Sequence, residues 1–145
     1  MNVVVPINVW AVLVAAVASM VIGFLWYGPL FGKVWMGMMG WDKKSPAEVE
    51  SMKKGMTKGY VLTFIGALVM AYVLQHALVF ASAYLRSTGV SAGLMVGFWN
   101  WLGFIAPVTM GVVLWEGKSW KLWCFNNAYW LVNLLVMGVI LALWK

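Results

Sequence analysis

The chain has 145 residues, 64% of them hydrophobic and 10% charged, with a formal net charge of +6. Soluble domains run nearer half apolar and a quarter charged, so a chain this short could not hide so much apolar surface in water; the class is a membrane protein. One cysteine, Cys124, excludes an internal disulfide, and with a single histidine, His76, there are too few ligands for an ordinary Cys/His zinc site.

A crossing helix needs about 20 mostly apolar residues. The first such run is Ile7 to Tyr27. It contains an A-x-A pattern in "AVAS" (residues 16–19), but no Lys or Arg precedes it and the apolar run continues through Trp26. It is therefore expected as a retained span rather than a cleaved signal peptide. The run ends in "GFLWYGPLFGKVW", residues 23–35. Pro29 lacks an N–H and disfavours helical geometry at Gly28, so the chain is expected to turn there. Trp26, Tyr27 and Trp35 are the expected anchors at this membrane–water boundary, and Lys33 is placed to reach headgroup phosphates.

The connection from Gly28 to Gly59 is the only long one. Within it Ser45, Pro46 and Glu48 have the spacing of a capping box with proline in the first turn. That predicts a short amphipathic helix over residues 45–58, basic towards its end. It either lies on the membrane surface or runs straight into the second span. Three further spans follow at Tyr60 to Leu85, Ala92 to Trp115 and Leu122 to Trp144, with Trp144 anchoring the opposite boundary. The expected fold is an all-α bundle of four transmembrane helices, a single domain over residues 1–145.

Basic residues set the expected orientation. Lys33, Lys43, Lys44, Lys53, Lys54 and Lys58 lie in the long connection, Lys118 and Lys121 between spans three and four, and only Arg86 and Lys145 on the other side. The positive-inside rule puts both basic connections in the cytoplasm and both termini outside. In so apolar a chain the net charge points to anionic lipid headgroups rather than nucleic acid as its counterpart.

"WYGPLFGKVW" (Trp26 to Trp35) resembles the signature of a family of small bacterial membrane proteins known as domain of unknown function 1761. "LWEGKSW" (Leu114 to Trp120) and "NLLVMGVILALW" (Asn133 to Trp144) are similar to later parts of that family. The resemblance implies four spans in a bacterial or archaeal cytoplasmic membrane. It implies no activity, so no catalytic residue follows from it. A weaker echo lies within the chain: "LWYG" (Leu25 to Gly28) and "LWEG" (Leu114 to Gly117) end spans one and three, as a parallel repeat of two hairpins would.

Small residues recur at every fourth position: Ala11, Ala15, Ser19 and Gly23; Gly55, Gly59, Thr63, Ala67 and Ala71; Gly89, Gly93 and Gly97. Such ridges let helices approach closely, within the bundle or between copies in a homo-oligomer. Polar residues inside spans are costly and normally face protein. Those in the spans are Gln75, His76, Asn100, Asn126, Asn127 and Asn133. Gln75, His76, Asn100 and Asn133 fall at overlapping depths and form the candidate polar cluster, either a site or simple interhelical links. Asn100, Gly103, Pro107 and Gly111 share one helix face, and Pro107 is expected to kink span three and leave a polar hollow beside Asn100.

No cofactor, metal ligand set or catalytic triad is legible. The leading expectation is a small oligomeric channel or transporter for a small solute or ion. The alternative is a structural membrane protein that binds a partner or lipid. A membrane enzyme on a lipophilic substrate is the least supported, because Arg86 and Glu116 lie at opposite faces.

Overall fold

The computed structural model of the protein describes residues 4–144, which contain helices and turns and no strand. Lys145, counted above among the outer basic residues, lies outside the described residues. Four helices are long and apolar enough to cross a membrane: Val9–Leu30, Met56–Leu85, Gly89–Leu114 and Trp120–Leu143. The fold is thus the expected four-span bundle.

Helix α1 (Val9–Leu25) is capped by Asn8, whose Oδ1 accepts from the backbone N–H of Trp10 at 3.0 Å and of Ala11 at 3.2 Å. Helical geometry breaks at Gly28, the residue before Pro29, as expected: Gly28 stands at φ −112, ψ −107, and the chain kinks there between two helical stretches, with a wide closure across the kink in which the Phe31 N–H donates to the Trp26 carbonyl at 3.1 Å. Widening by one residue accommodates a ring that cannot donate and would strike the carbonyl a turn earlier. The chain then re-forms as α2 (Gly32–Met38). That helix was not expected. Its two glycines and missing side-chain cap hide it, and aromatic contacts hold it instead: Trp35 meets Tyr27 at 5.5 Å and Trp41 at 4.9 Å.

Helix α3 (Pro46–Lys53) begins with the capping box as spelled. Ser45 Oγ accepts from the Glu48 N–H at 3.3 Å, and the Ser45 N–H donates to Glu48 Oε2 at 2.7 Å. The helix stops at Lys53, and α4 (Met56–Leu85) starts two residues after Lys54, so the basic stretch is neither one surface helix nor an unbroken extension of span two. Arg86, at φ 54, ends α4, and Gly89, at φ 68, opens α5 (Gly89–Asn100). Gly89 therefore serves a tight turn rather than a packing ridge. A second wide turn over Trp101–Ile105 precedes α6 (Ala106–Thr109) and α7 (Gly111–Leu114). Ser119 caps α8 (Trp120–Leu143) through the Leu122 N–H at 3.1 Å. The echo between residues 25–28 and 114–117 does not extend to the backbone. The first lies in a wide turn inside a span, whereas the second ends at a left-handed Gly117.

Helix α8 is the most enclosed span and packs against α1, α4 and α5. Its closest approach is to α5. A Cβ on Gly93 would overlap the carbonyl of Gly138, one on Gly138 would overlap the carbonyl of Gly93, and one on Gly97 would lie 2.5 Å from the Leu134 oxygen. In lipid, where tails are as apolar as leucine, such backbone contact is what drives helices together. The row Ala11, Ala15 and Ser19 is buried, as is the Ala67–Ala71–Gln75 half of the α4 row, while Gly55, Gly59 and Thr63 stay exposed. The chain ends meet at one end of the bundle, where Asn8 Nδ2 donates to the Trp144 carbonyl at 3.4 Å. This is called the terminal end below, and the opposite, lysine-rich end the connection end.

Candidate functional site: polar tiers along α8

Polar side chains gather at three depths along α8. The first tier is nearest the connection end, at the doublet Asn126–Asn127, and both wide turns dock on it. From span one the Tyr27 hydroxyl donates to Asn126 Oδ1 at 2.8 Å. From span three Trp101 Nε1 donates to the Asn127 carbonyl at 3.0 Å. Thr109 Oγ1 accepts from Asn127 Nδ2 at 3.0 Å and Trp123 Nε1 at 3.1 Å, and itself donates to the Ile105 carbonyl at 2.8 Å. Around the doublet lies a cleft of about 380 Å³ walled by Tyr27, Trp35, Trp123 and Trp130, with Thr109 and both asparagines among its polar lining. Wide turns of this kind, beside a proline, break the regular ladder and re-aim side chains. Here they carry Tyr27 and Trp101 to adjacent residues of one helix.

The second tier is closed. Asn133 is fully buried, and its Nδ2 donates to Ser19 Oγ and to the Tyr129 hydroxyl, each at 3.0 Å. This seam ties α1 to α8. The ring of Tyr129 packs on Tyr27 at 5.1 Å and so joins the seam to the first tier.

The third tier is at the terminal end. A cleft of about 440 Å³ lies between the segment Pro6–Asn8, α4 and Leu141 of α8, and Gln75 and Ser82 line it. Gln75 Oε1 and Ser82 Oγ are both buried without a hydrogen-bond partner among the described residues. The residues lining the two clefts include no charged side chain.

Of the four residues in the expected cluster, two are buried and two are not. Gln75 (4% exposed) belongs to the terminal cleft and Asn133 to the central seam. His76 is half-buried, with Nδ1 2.9 Å from the Tyr72 carbonyl of its own helix and its ring 4.5 Å from that of Tyr72. Asn100 donates to the Val96 carbonyl, again of its own helix, at 2.8 Å. No hydrogen bond joins any two of the four among the described residues. Asn100 lines neither of the two clefts. Span three does widen before Pro107, but Gly103 and Pro107 face outwards, and the opening lies at Thr109 on the opposite side. Of the expected anchors, Trp26 packs edge-on to Phe31 at 4.8 Å, Tyr27 and Trp35 wall the first cleft, and Trp144 sits at the terminal end.

Asn126, Asn127, Thr109, Trp123, Ser19 and Tyr129 were not in the expected cluster. The usable signal was the Asn doublet one to two turns inside α8, level with the prolines of two other spans. Tyr129 and Asn133, four apart, were a second signal, since that spacing puts both on one helix face.

The chain matches a family model described as "Protein of unknown function (DUF1761)" over residues 10–142. No curated protein and no solved structure matches it.

Proposed function

We propose that this chain, which belongs to the DUF1761 family of proteins of unknown function, is a small carrier for uncharged solutes in a cell membrane. The supporting observation is the order of the tiers. One cleft opens at each end of the bundle, and the hydrogen-bonded Ser19–Asn133–Tyr129 seam lies between them in depth. A carrier closed at its middle has this organisation. The absence of charge from both linings favours neutral cargo, because a buried ion without a partner is expensive. Broken spans beside the first cleft supply the deformable elements that alternating access requires.

The lysine-rich connection end is proposed to face the cytoplasm of a bacterial or archaeal cell and to meet anionic headgroups there. The exposed Gly55–Gly59–Thr63 face of α4, open for close approach, supports a homo-oligomer.

The test is solute flux into proteoliposomes, read as the rate of reswelling in glycerol and in urea. Vesicles with the protein should reswell severalfold faster than empty vesicles in at least one solute, and Asn126→Leu should reduce that excess. Equal rates with both solutes would remove carriage of small neutral solutes and leave the scaffold reading.

A further inference from the structure

We infer that the cleft at the connection end, around Asn126, binds an uncharged flat ring that carries a hydrogen-bond acceptor such as a carbonyl oxygen. The inference rests on the carrier reading for the cleft's role and deepens it by naming the class of cargo.

The walls set the ring. Four aromatic side chains, Tyr27, Trp35, Trp123 and Trp130, stand around a space of about 380 Å³, which is within the usual range for a small-molecule pocket. Tyr27 and Trp35 meet edge to face, 5.5 Å apart at 75°, and so form a corner rather than a stack. The three indoles do not pair with one another among the described residues. Beyond that corner their ring partners are Trp41, Trp120 and Tyr129, none of which lines the cleft. Indoles arranged around an opening favour a flat ring, which gains about 0.5–1.5 kcal/mol from each well-formed aromatic contact beyond the area it buries.

The polar groups set the acceptor. The Tyr27 hydroxyl takes up Asn126 Oδ1 and holds that amide at the cleft, while Asn126 Nδ2 has no partner among the described residues and is not enclosed. The indole N–H groups of Trp35 and Trp130 likewise have no partner among the described residues and are not enclosed, whereas that of Trp123 is given to Thr109. An indole at a membrane boundary can give its N–H to water or headgroups. Trp130 stands ten residues after Trp120, the first of α8, which is roughly 15 Å into the span at the helical rise. The side-chain acceptors are in the opposite condition. Asn127 Oδ1 is enclosed and out of reach, and Thr109 Oγ1 already accepts two bonds. Spare donors with few free acceptors select a ligand that accepts. No lining residue is charged, so a cationic ring would find no carboxylate.

Saturation-transfer NMR on the protein in lipid nanodiscs tests this, with benzamide as the probe. Cyclohexanecarboxamide keeps the carbonyl and loses the flat ring; phenyltrimethylammonium keeps the ring and adds a charge. Benzamide should receive saturation well above that seen with empty nanodiscs. Displacing it should take at least threefold more of either other compound than of perdeuterated benzamide. Trp35→Leu and, separately, Asn126→Leu should each weaken benzamide binding about three- to tenfold, the loss of one contact. Trp99→Leu, at an exposed indole outside the cleft, should leave binding unchanged. Trp35 lies on α2, outside the four long helices, so its variant guards against a folding defect in Asn126→Leu. Saturation no greater than with empty nanodiscs, displacement by cyclohexanecarboxamide as readily as by benzamide, or indifference to both variants would overturn the inference. Tighter binding of phenyltrimethylammonium would also overturn it, in favour of a cage for cations. Binding without solute flux would support the ring site and remove carriage; flux of glycerol or urea without binding would keep the carrier and remove the ring site.

Discussion

At the residue scale, the best-specified local feature is the start of α3. Its two reciprocal bonds were readable from Ser45 and Glu48 because a capping box is a local code: both partners lie within one turn. The N–H of Ser45 holds the Glu48 carboxyl below its ordinary value of 4.5, helped by the Ser45 side-chain bond and then by the nearby charge of Lys44. The sign follows. A carboxyl whose pKa is depressed by folding contributes stability above its unfolded value and loses it as pH falls through the lower, folded value. Amide exchange at the first turn of α3 should therefore be slowest at neutral pH and quicken, relative to the intrinsic rate, below the ordinary carboxylate value. Glu48→Gln should flatten that dependence. A protection factor independent of pH in the unmodified chain would show the carboxylate bond to be unformed. The polar residues inside the spans were less legible. Composition shows that Gln75, His76, Asn100 and Asn133 are costly in lipid, but not whether each is satisfied by another span or by its own helix. His76 and Asn100 take the second course, bonding carbonyls of Tyr72 and Val96.

At the element scale, span number and approximate position followed from apolar run length, which is what the bilayer imposes. Proline positions also flagged the breaks in spans one and three. They did not reveal the form of the breaks, because whether a helix turns, stops or widens depends on what its freed groups find nearby. Tyr27 finds Asn126, and Trp101 finds the Asn127 carbonyl. The small-residue rows were legible as ridges but not as to what each faces. Gly97 now has a definite neighbour, the Leu134 carbonyl, whereas Gly66 has nothing within 4 Å of its would-be Cβ. Gly97→Ala should force α5 from α8 and cost about 1–3 kcal/mol, the usual range for overpacking. Gly66→Ala should be neutral or stabilising by up to about 1 kcal/mol, since alanine is the better helix former. Thermal unfolding in detergent, with both variants side by side, checks this. Equal tolerance at the two positions would mean that the α5–α8 crossing is looser than described.

At the scale of the whole molecule, the two clefts and the seam matter only if they face opposite sides of a membrane. Their order in depth rests on span one and its cap, where Asn8, Ser19 and Tyr27 succeed one another, and on α8, where Leu141, Asn133 and Asn126 do so in reverse. Neither sequence periodicity nor composition could place these residues together, since the central seam alone joins residues 114 positions apart in the chain. The most direct measurement is the sidedness of single cysteines in sealed vesicles or intact cells, in a Cys124→Ser background, with a membrane-impermeant thiol reagent. Cysteines at Ser45 and Ser87 mark the two faces, and the proposed orientation has Ser45 inside and Ser87 outside. A cysteine replacing Asn126 should react only from the Ser45 side, and one replacing Ser82 only from the Ser87 side. Reaction of both from one side, or of neither from any side while Ser45 and Ser87 report normally, would contradict a carrier with two clefts closed at its middle.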